Sequence, residues 1–305
     1  MNRNPIYLSV VLSTYNEEKF IAKSIQSILD QTYQFFEFII VNDGSTDKTS
    51  QIIRSFDDHR IIIIDKPNSG LPDSLNMGIN AANYEWIVRM DGDDVAEPTR
   101  LETQVKYINN HVGVIGGQFI SIDEDGYAIS GVASKKPLSY NRCKRWLLFG
   151  MSPLAHPTVF IRKSILERFG GYDINFSAAQ DVELWCRLSP DIEIINIPET
   201  VLHYRIHNNN ITTKRKNLQR MLTFIGFLKF VLRIRRPLNI EEFSKFKAYF
   251  LCNGLIKRNE VYFEWAHKGK GVLRQARLTC YYSWRLVLVV KYRLFRAATL
   301  NRIFA

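Results

Sequence analysis

Short apolar segments alternate with longer amphipathic segments along the first 120 residues of the chain. The apolar segments show little alternation of polar and apolar positions, which is typical of parallel strands covered on both faces. Each amphipathic segment has the length of a helix that crosses from one strand to the next. In chain order the segments are YLSVVLS, EEKFIAKSIQSILDQ, FEFIIVND, TDKTSQIIRSF, RIIIID, SGLPDSLNMGINAA and EWIVRMD. The pattern predicts an α/β fold with a doubly wound sheet.

Four polar segments follow the predicted strands and are expected to meet at one edge of the sheet. In doubly wound sheets, ligands bind beyond the carboxyl ends of the strands. The segments at those ends are STYNEE (13–18), NDGSTD (42–47), DKPNSG (65–70) and DGDD (91–94). An isolated DGD is usually a solvated turn. Here it lies among converging polar segments, which favours a site where a hard divalent ion sits between carboxylates and phosphates.

The composition is that of a globular protein able to bury a sizeable core. The chain has 305 residues, 46% of them apolar, which fits one large domain or one domain with an appended piece. No apolar segment reaches the ~18 uncharged residues of a membrane-spanning helix, and the N-terminal pattern is not that of a secretory signal. Four cysteines without CxxC spacing indicate neither a zinc site nor a disulfide framework. A cytoplasmic protein is expected.

Charge is distributed unevenly along the chain. The net charge is +11, but residues 1–210 carry 20 Lys and Arg against 26 Asp and Glu, a balance of −6. Residues 211–305 carry 21 against 4, a balance of +17. We therefore predict one domain over residues 1–210 and a basic helical region over residues 211–305. Such asymmetry usually indicates an anionic partner, commonly nucleic acid or an acidic membrane surface.

The basic region has helical spacing in segments 215–236, 240–258 and 272–298, and Asn239 and Glu242 have the spacing of a capping box. The segment SWRLVLVVKYRLFRAATLNRIF mixes Trp, Leu and Phe with Arg and Lys, as in a helix that lies on anionic lipid without spanning it. Two interpretations stay open: peripheral association with the inner face of the cell membrane, or a small helical subdomain with solvated basic faces. Nucleic-acid binding is disfavoured because the first domain is acidic and no recognised binding motif occurs.

Five ordered motifs identify a family resemblance. They are VVLSTYNEEKFIAKSIQSILDQTY, FIIVNDGSTDKT, SGLPDSLNMGI, VRMDGDDVAEPTRLETQ and GGYDINFSAAQDVELWCRL. Over about residues 6–210 the chain resembles the family 2 glycosyltransferases, of the kind that builds bacterial surface polysaccharides. The resemblance implies the GT-A fold, with a mixed and mainly parallel sheet. It also implies a nucleotide-sugar donor, usually a uridine diphosphate sugar, and Mn2+ or Mg2+ as cofactor.

The resemblance implies that four residues bind the nucleotide. Asp43 would accept hydrogen bonds from the base, and Ser13 and Tyr15 would line the base and the ribose. Asp91 would lie nearer the ribose. Structural explanations stay open: Asp43 can cap the helix that begins near Thr46, Tyr15 can be packed, and Ser13 can satisfy a strand end.

The resemblance also implies a metal site and donor contacts. Asp93 is the expected direct ligand, since carboxylate oxygens suit Mg2+ and Mn2+. His207, in VLHYRIHNNNIT, is expected near the metal or the diphosphate. Asp94 is expected to contact the donor sugar or the acceptor. Gly70 would let the backbone approach the sugar nucleotide closely, although an ordinary turn before a helix also explains a glycine there.

Transfer to a hydroxyl requires a positioned carboxylate that takes its proton. Asp181, in SAAQDVELWCRL, matches the aspartate that serves as base in the family. An aspartate at a helix N-terminus also stabilises the helix dipole, whether or not it does chemistry. Gln180 stands where the family usually has Glu, which puts the acceptor orientation and the pKa of the base in doubt. His156 resembles a residue on the acceptor side, and segment 121–155 is expected to shape that side.

The implied reaction is an inverting transfer of one sugar by single displacement, from the nucleotide-sugar donor to a glycan or lipid-linked acceptor. The family's processive synthases carry QxxRW and several membrane spans, and NLQRML is not that motif. A sugar nucleotidylyltransferase is the alternative with a similar sheet. Such an enzyme is expected to carry a glycine-rich phosphate loop after the first strand, and STYNEEKF contains no glycine.

Overall fold

The computed structural model describes residues 4–148, 151–207, 216–232 and 236–237, which include a nine-stranded sheet. The strands are β1 Leu8–Thr14, β2 Phe36–Asn42, β3 Ile61–Asp65, β4 Trp86–Asp91, β5 Val95–Ala96, β6 Val112–Ile122, β7 Ala128–Ala133, β8 Phe160–Arg162 and β9 Glu193–Arg205. The helices are α1 Ile21–Leu29, α2 Thr49–Arg54, α3 Leu71–Ala81, α4 Arg100–Val105, α5 Tyr140–Leu148, α6 Lys163–Phe169, α7 Gln180–Leu188 and α8 Lys216–Leu232, with a short 3₁₀ helix at His156–Thr158. No helix among these residues combines the length and hydrophobicity that a membrane span requires.

Four parallel strands form one half of the sheet, in the order β3-β2-β1-β4. In the β1 register, Thr14 lies beside Asn42 and Ser13 lies beside Asp91. The polar segments that follow these strands therefore share one edge of the sheet, as the sequence pattern predicts. Helices α1, α2 and α3 fall within the predicted amphipathic segments. The predicted α/β class is confirmed.

The other half of the sheet contains antiparallel pairs. Strand β8 lies between β4 and β6 and is antiparallel to both, whereas β9 is parallel to β6 and antiparallel to β5. The predicted mixed GT-A sheet is confirmed. Val95, just after the acidic segment, pairs with His203 near the end of β9. The chain that leaves β9 is thereby brought beside the carboxyl end of β4.

Alternate residues of the central strand supply apolar side chains to two cores, one on each face of the sheet. Val10 and Leu12 pack into the cluster that contains Ile21 and Ile25 of α1. Val11 packs into the opposite cluster. There, α3 approaches the sheet so closely that a Cβ at Gly78 would lie 2.6 Å from Val11 Cγ1. This close approach fixes α3, and with it the loop that begins the helix at the ligand edge.

Helix α8 belongs to the compact unit that runs from Met1 to Pro237. The ammonium group of Lys229 is fully buried, lies 3.3 Å from Asp173 Oδ2, and also pairs with Glu183 of α7. Arg187 forms a second buried ion pair with Glu183, with its Nη2 2.8 Å from Oε2. Burying two acids and two bases together is tolerated because each charge has an opposite partner.

The predicted division at residue 210 stays a prediction, although α8 lies within the predicted helical segment 215–236. The other predicted features of the basic region lie outside the described residues. They are the capping box at Asn239 and Glu242 and the helical segments 240–258 and 272–298, the second of which overlaps the interfacial sequence.

Replacing Lys229 with Met should destabilise the fold by about 3–5 kcal/mol, because two buried carboxylates, those of Asp173 and Glu183, then lose the ammonium group that they share. Adding Asp173→Asn to the same chain should recover much of the loss, since a neutral Glu183–Arg187 pair remains. Urea unfolding followed by circular dichroism measures both effects. A double variant no more stable than Lys229→Met would contradict this account.

Candidate active site

Three carboxylates crowd together where β4 ends. Asp91, Asp93 and Asp94 each offer a carboxylate oxygen, and these atoms lie within 4.8 Å of one another. Asp94 is fully buried, and its Oδ1 accepts a hydrogen bond of 2.8 Å from the Arg205 amide. Its Oδ2 is buried and has no hydrogen-bond partner among the described residues. A buried carboxylate oxygen without a donor, inside an all-oxygen cluster, fits a divalent cation.

Two buried arginines, Arg89 and Arg100, support the strand that carries the cluster. Arg89, on β4, is buried and forms an ion pair with Asp91 through its Nη2. Within the described part of the chain its Nε and Nη1 have no hydrogen-bond partner. Arg100, on α4, is buried and donates to the Arg89 carbonyl oxygen at 2.8 Å. Arg100 thus fixes the backbone of β4, whereas Arg89 brings positive charge to the cluster.

Glu17 is a fourth carboxylate at this position, and the sequence analysis assigned it no role. It lies against Gly92, where an added Cβ would fall 1.8 Å from Glu17 Oε2. Thr14 donates to the same oxygen at 2.9 Å. Burial, followed by the charges of Asp93 and Asp91, raises the pKa of Glu17 well above its usual range. The STYNEE segment contained the signal, because β1 and β4 are neighbours and the loops that follow them meet.

Burial also raises the pKa of two other carboxylates in the cluster, those of Asp94 and Asp91. Burial raises the pKa of Asp94 well above its usual range, and the charges of Asp93 and Asp91 add to the rise. Burial also raises the pKa of Asp91, against the opposing charge of Arg89. These shifts reflect carboxylates held together away from water. A bound cation would favour their ionised forms.

The two residues predicted to bind metal lie in contact. His207 Nε2 is 2.9 Å from Asp93 Oδ2, although the two residues are 114 positions apart in the sequence. The centre of the His207 ring lies 4.9 Å from that of Phe20. Carboxylate oxygens together with one imidazole form a donor set that Mn2+ accepts more readily than Mg2+. Their predicted roles as ligands stay predictions.

The predicted nucleotide side is organised by Asp43. Its buried carboxylate accepts hydrogen bonds from Lys66 Nζ at 2.6 Å and from the amides of Ser69 and Gly70, both at 2.9 Å. Asp43 therefore holds the start of α3 and does not cap α2, whose N-cap residue is Lys48. An ionised carboxylate has room for further donors. The predicted contact with the nucleotide base stays a prediction.

The other three residues predicted near the donor lie at the same edge. Ser13, near the end of β1, is buried. Tyr15, just beyond the strand, is 47% exposed. Gly70 has a φ of 97°, and the nearest atom to an added Cβ would be Pro72 Cδ at 4.0 Å. The left-handed backbone, and not crowding by the protein, thus requires glycine there. Their predicted contacts with the donor stay predictions.

Asp181 lies in the first turn of α7. Its Oδ2 is 3.4 Å from the hydroxyl of Ser152, which donates to it. Burial raises the pKa of Asp181, while the Val182 amide, Lys136 and Arg89 oppose that rise. The charge of Asp181 in turn raises the pKa of Asp91. Two predicted site residues that are far apart in sequence therefore act on each other electrostatically.

Two further predicted residues are buried close to Asp181. Gln180 turns back, and its Oε1 accepts a hydrogen bond of 3.1 Å from the Ala179 amide. His156 is 7% exposed, and its Nε2 lies 2.7 Å from Tyr172 Oη. Burial, with a contribution from Arg89, lowers the pKa of His156 well below its usual range, so the ring is neutral. Their predicted acceptor contacts stay predictions.

Comparison with known proteins defines the class and then the family. Two solved structures share the fold: TarS 1–349 from S. aureus in complex with UDP-GlcNAc, and the mannosyltransferase PcManGT from Pyrobaculum calidifontis in complex with GDP-Man and Mn2+. For the first, the TM-score is 0.59 at 16% identity, covering 90% of this chain and 79% of that one. For the second, the TM-score is 0.55 at 17% identity, covering 95% and 87%. The described part of the chain thus has the GT-A fold of these two proteins.

The chain belongs to glycosyltransferase family 2. The model described as "Glycosyl transferase family 2" matches residues 9–170, and that described as "Glycosyltransferase like family 2" matches residues 137–250. A relative is the O-antigen biosynthesis glycosyltransferase WbnJ of Escherichia coli. It is 33% identical over 210 residues, which cover 67% of this chain and 81% of WbnJ. The resemblance noted in the sequence is confirmed.

Asp93→Asn should weaken binding of Mn2+ by about tenfold or more, because loss of a direct ligand costs at least as much as loss of a supporting partner. Isothermal titration of the protein with Mn2+ measures the affinity. Asp57→Asn is the matched control, because Asp57 is exposed and precedes β3 at the opposite edge of the sheet. Equal affinities for the wild type and Asp93→Asn would show that Asp93 is not a ligand.

Proposed function

We propose that the protein is an inverting glycosyltransferase. It moves one sugar from a UDP-sugar to a hydroxyl group of a glycan or lipid-linked oligosaccharide. The observation that carries this proposal is the cluster of carboxylate oxygens from Asp91, Asp93 and Asp94, which lie within 4.8 Å of one another at the end of β4. Together with Asp181 in the first turn of α7, whose charge acts on Asp91, the cluster supports a site for the leaving group and a separate base. The UDP-GlcNAc held by TarS and the O-antigen role named for WbnJ support the donor and the acceptor class.

The leaving-group side needs positive charge. Asp93 and His207 would hold Mn2+ or Mg2+, with Asp91 and Asp94 beside them. Such an ion stabilises the negative charge that grows on the departing nucleoside diphosphate, without any proton transfer. Arg89 keeps a permanent positive charge against Asp91. The Mn2+ held by PcManGT supports this choice of cofactor.

The acceptor side needs a base. Asp181 takes the proton of the attacking hydroxyl group as the new glycosidic bond forms. Its position in the first turn of α7 places the carboxylate at the positive end of the helix dipole, which stabilises the ionised form. Attack from the side opposite the leaving group inverts the anomeric centre. A β-linked product from an α-linked donor is the result.

Asp181→Asn should lower kcat by about 100- to 10,000-fold, because the general base is removed while the shape of the side chain is kept. Released UDP is measured with a panel of UDP-sugars, with and without Mn2+, and with a lipid-linked acceptor. Asp191→Asn is the control, since Asp191 is exposed and follows the other end of α7. Near wild-type turnover by a correctly folded Asp181→Asn variant would exclude Asp181 as the base.

We also propose that the basic region holds the enzyme on the inner face of the cell membrane. The +17 balance of residues 211–305 supplies attraction for anionic headgroups, and a lipid-linked acceptor would be presented at that surface. The full-length protein should float with anionic liposomes at low salt and be released at high salt, because salt screens surface charge. Equal partitioning into anionic and neutral liposomes would contradict this proposal.

A further inference from the structure

A lysine and the proposed base bind to the same residue on the acceptor side. Lys136 Nζ donates to the main-chain oxygen of Ser152 at 3.0 Å. The hydroxyl of Ser152 lies 2.8 Å from the Leu154 carbonyl oxygen and 3.4 Å from Asp181 Oδ2, and its one hydrogen is donated to these two acceptors in alternation. Ser152 therefore connects an ammonium group to a carboxylate. Lys136 lies in segment 121–155, which the sequence analysis expected to shape the acceptor side.

The amide and the carbonyl oxygen of Lys136 both form hydrogen bonds with the buried side chain of Gln118. Gln118, on β6, accepts from the Lys136 amide at 2.8 Å and donates to the Lys136 carbonyl oxygen at 3.3 Å. The next carbonyl oxygen, that of Pro137, accepts from the Asn196 side chain of β9 at 2.7 Å. Two strands thus fix a segment without regular secondary structure. The ammonium group of Lys136 is presented from a rigid support.

The surroundings of Lys136 strengthen its effect on a nearby charge. Its ammonium group lies 5.8 Å from the centre of the Trp146 ring. Burial lowers the pKa of Lys136, and the negative charge of Asp181 opposes that change. A charge that is partly removed from water is screened less than one on the surface, so its influence on a carboxylate is larger.

We propose that Lys136 is a positioning residue that keeps Asp181 ionised and oriented toward the acceptor hydroxyl group. The proposal rests on the proposed function of Asp181 as the base. Four ionisable groups act on Asp181 or are acted on by it from the surrounding elements. They are Lys136 before α5, Arg89 and Asp91 on β4, and Tyr172 after α6.

The direction of the effect follows from the charges. A base works as the carboxylate, so activity rises with pH through the pKa of Asp181. Burial raises that pKa, and the positive charges of Lys136 and Arg89 hold it down. Removing the charge of Lys136 therefore raises the pKa further. The acidic limb of the activity profile then moves to higher pH.

The test is the pH dependence of kcat/KM for UDP release at saturating Mn2+, compared between the wild type and Lys136→Met. We expect the acidic limb of Lys136→Met to move up by about one pH unit, which is the effect of one opposite charge at close range. Well above that limb, the variant should regain most of the wild-type rate. A lysine with a purely structural role would instead lower the rate equally at every pH.

Two further variants complete the test. Lys136→Arg keeps the charge and should keep the limb near its wild-type position. Lys135→Met removes the charge of the exposed neighbouring lysine and should leave the limb unchanged. An unmoved limb in a folded Lys136→Met variant overturns the proposal, even while Asp181→Asn is inactive. If Asp181→Asn itself stays active, Asp181 is not the base. The proposed role of Lys136 is then also wrong, because it depends on Asp181.

Discussion

Repulsion among carboxylates held together at the end of β4 is the constraint on which the rest of the site depends. Asp91, Asp93 and Asp94 place oxygens within 4.8 Å of one another, and Glu17 lies against the glycine between them. Like charges in such a position are costly away from water unless a cation offsets them. Arg89 supplies one positive charge. The remaining negative charge is what makes the position suitable for a divalent ion.

The fold assembles this position from distant parts of the chain. Parallel strands bring β1 and β4 to the same edge, and β9 returns beside the segment that follows β4. Arg205, at the end of β9, donates to the carbonyl oxygen of Asp93 at 2.8 Å, which fixes the turn that carries the cluster. On the other side, α7 carries Asp181. Arg89 is buried beside Asp91, and the half-buried Lys136 is linked to Asp181 through Ser152, so each proposed step has a cation near it.

The sequence predicted the parallel half of the sheet because its strands and helices are long enough to show their periodicity. It did not place β5 or β8, which have two and three residues and therefore no pattern of their own. A family resemblance predicted Asp93 and His207 as metal-binding residues, and the two side chains lie in contact. Lys136 and Glu17 were missed because their effect depends on tertiary contacts. The sequence pattern also did not show that Lys229, within the basic region, is completely buried through its ion pairs with Asp173 and Glu183.

The most direct test is a crystal structure of the protein with Mn2+ and UDP, with the ion located by its anomalous scattering. We predict an anomalous peak bonded to Asp93 and to an oxygen of the diphosphate, with the Asp181 carboxylate open to the same cleft. A peak elsewhere, or an Asp181 side chain separated from the diphosphate by packed core, would contradict the account.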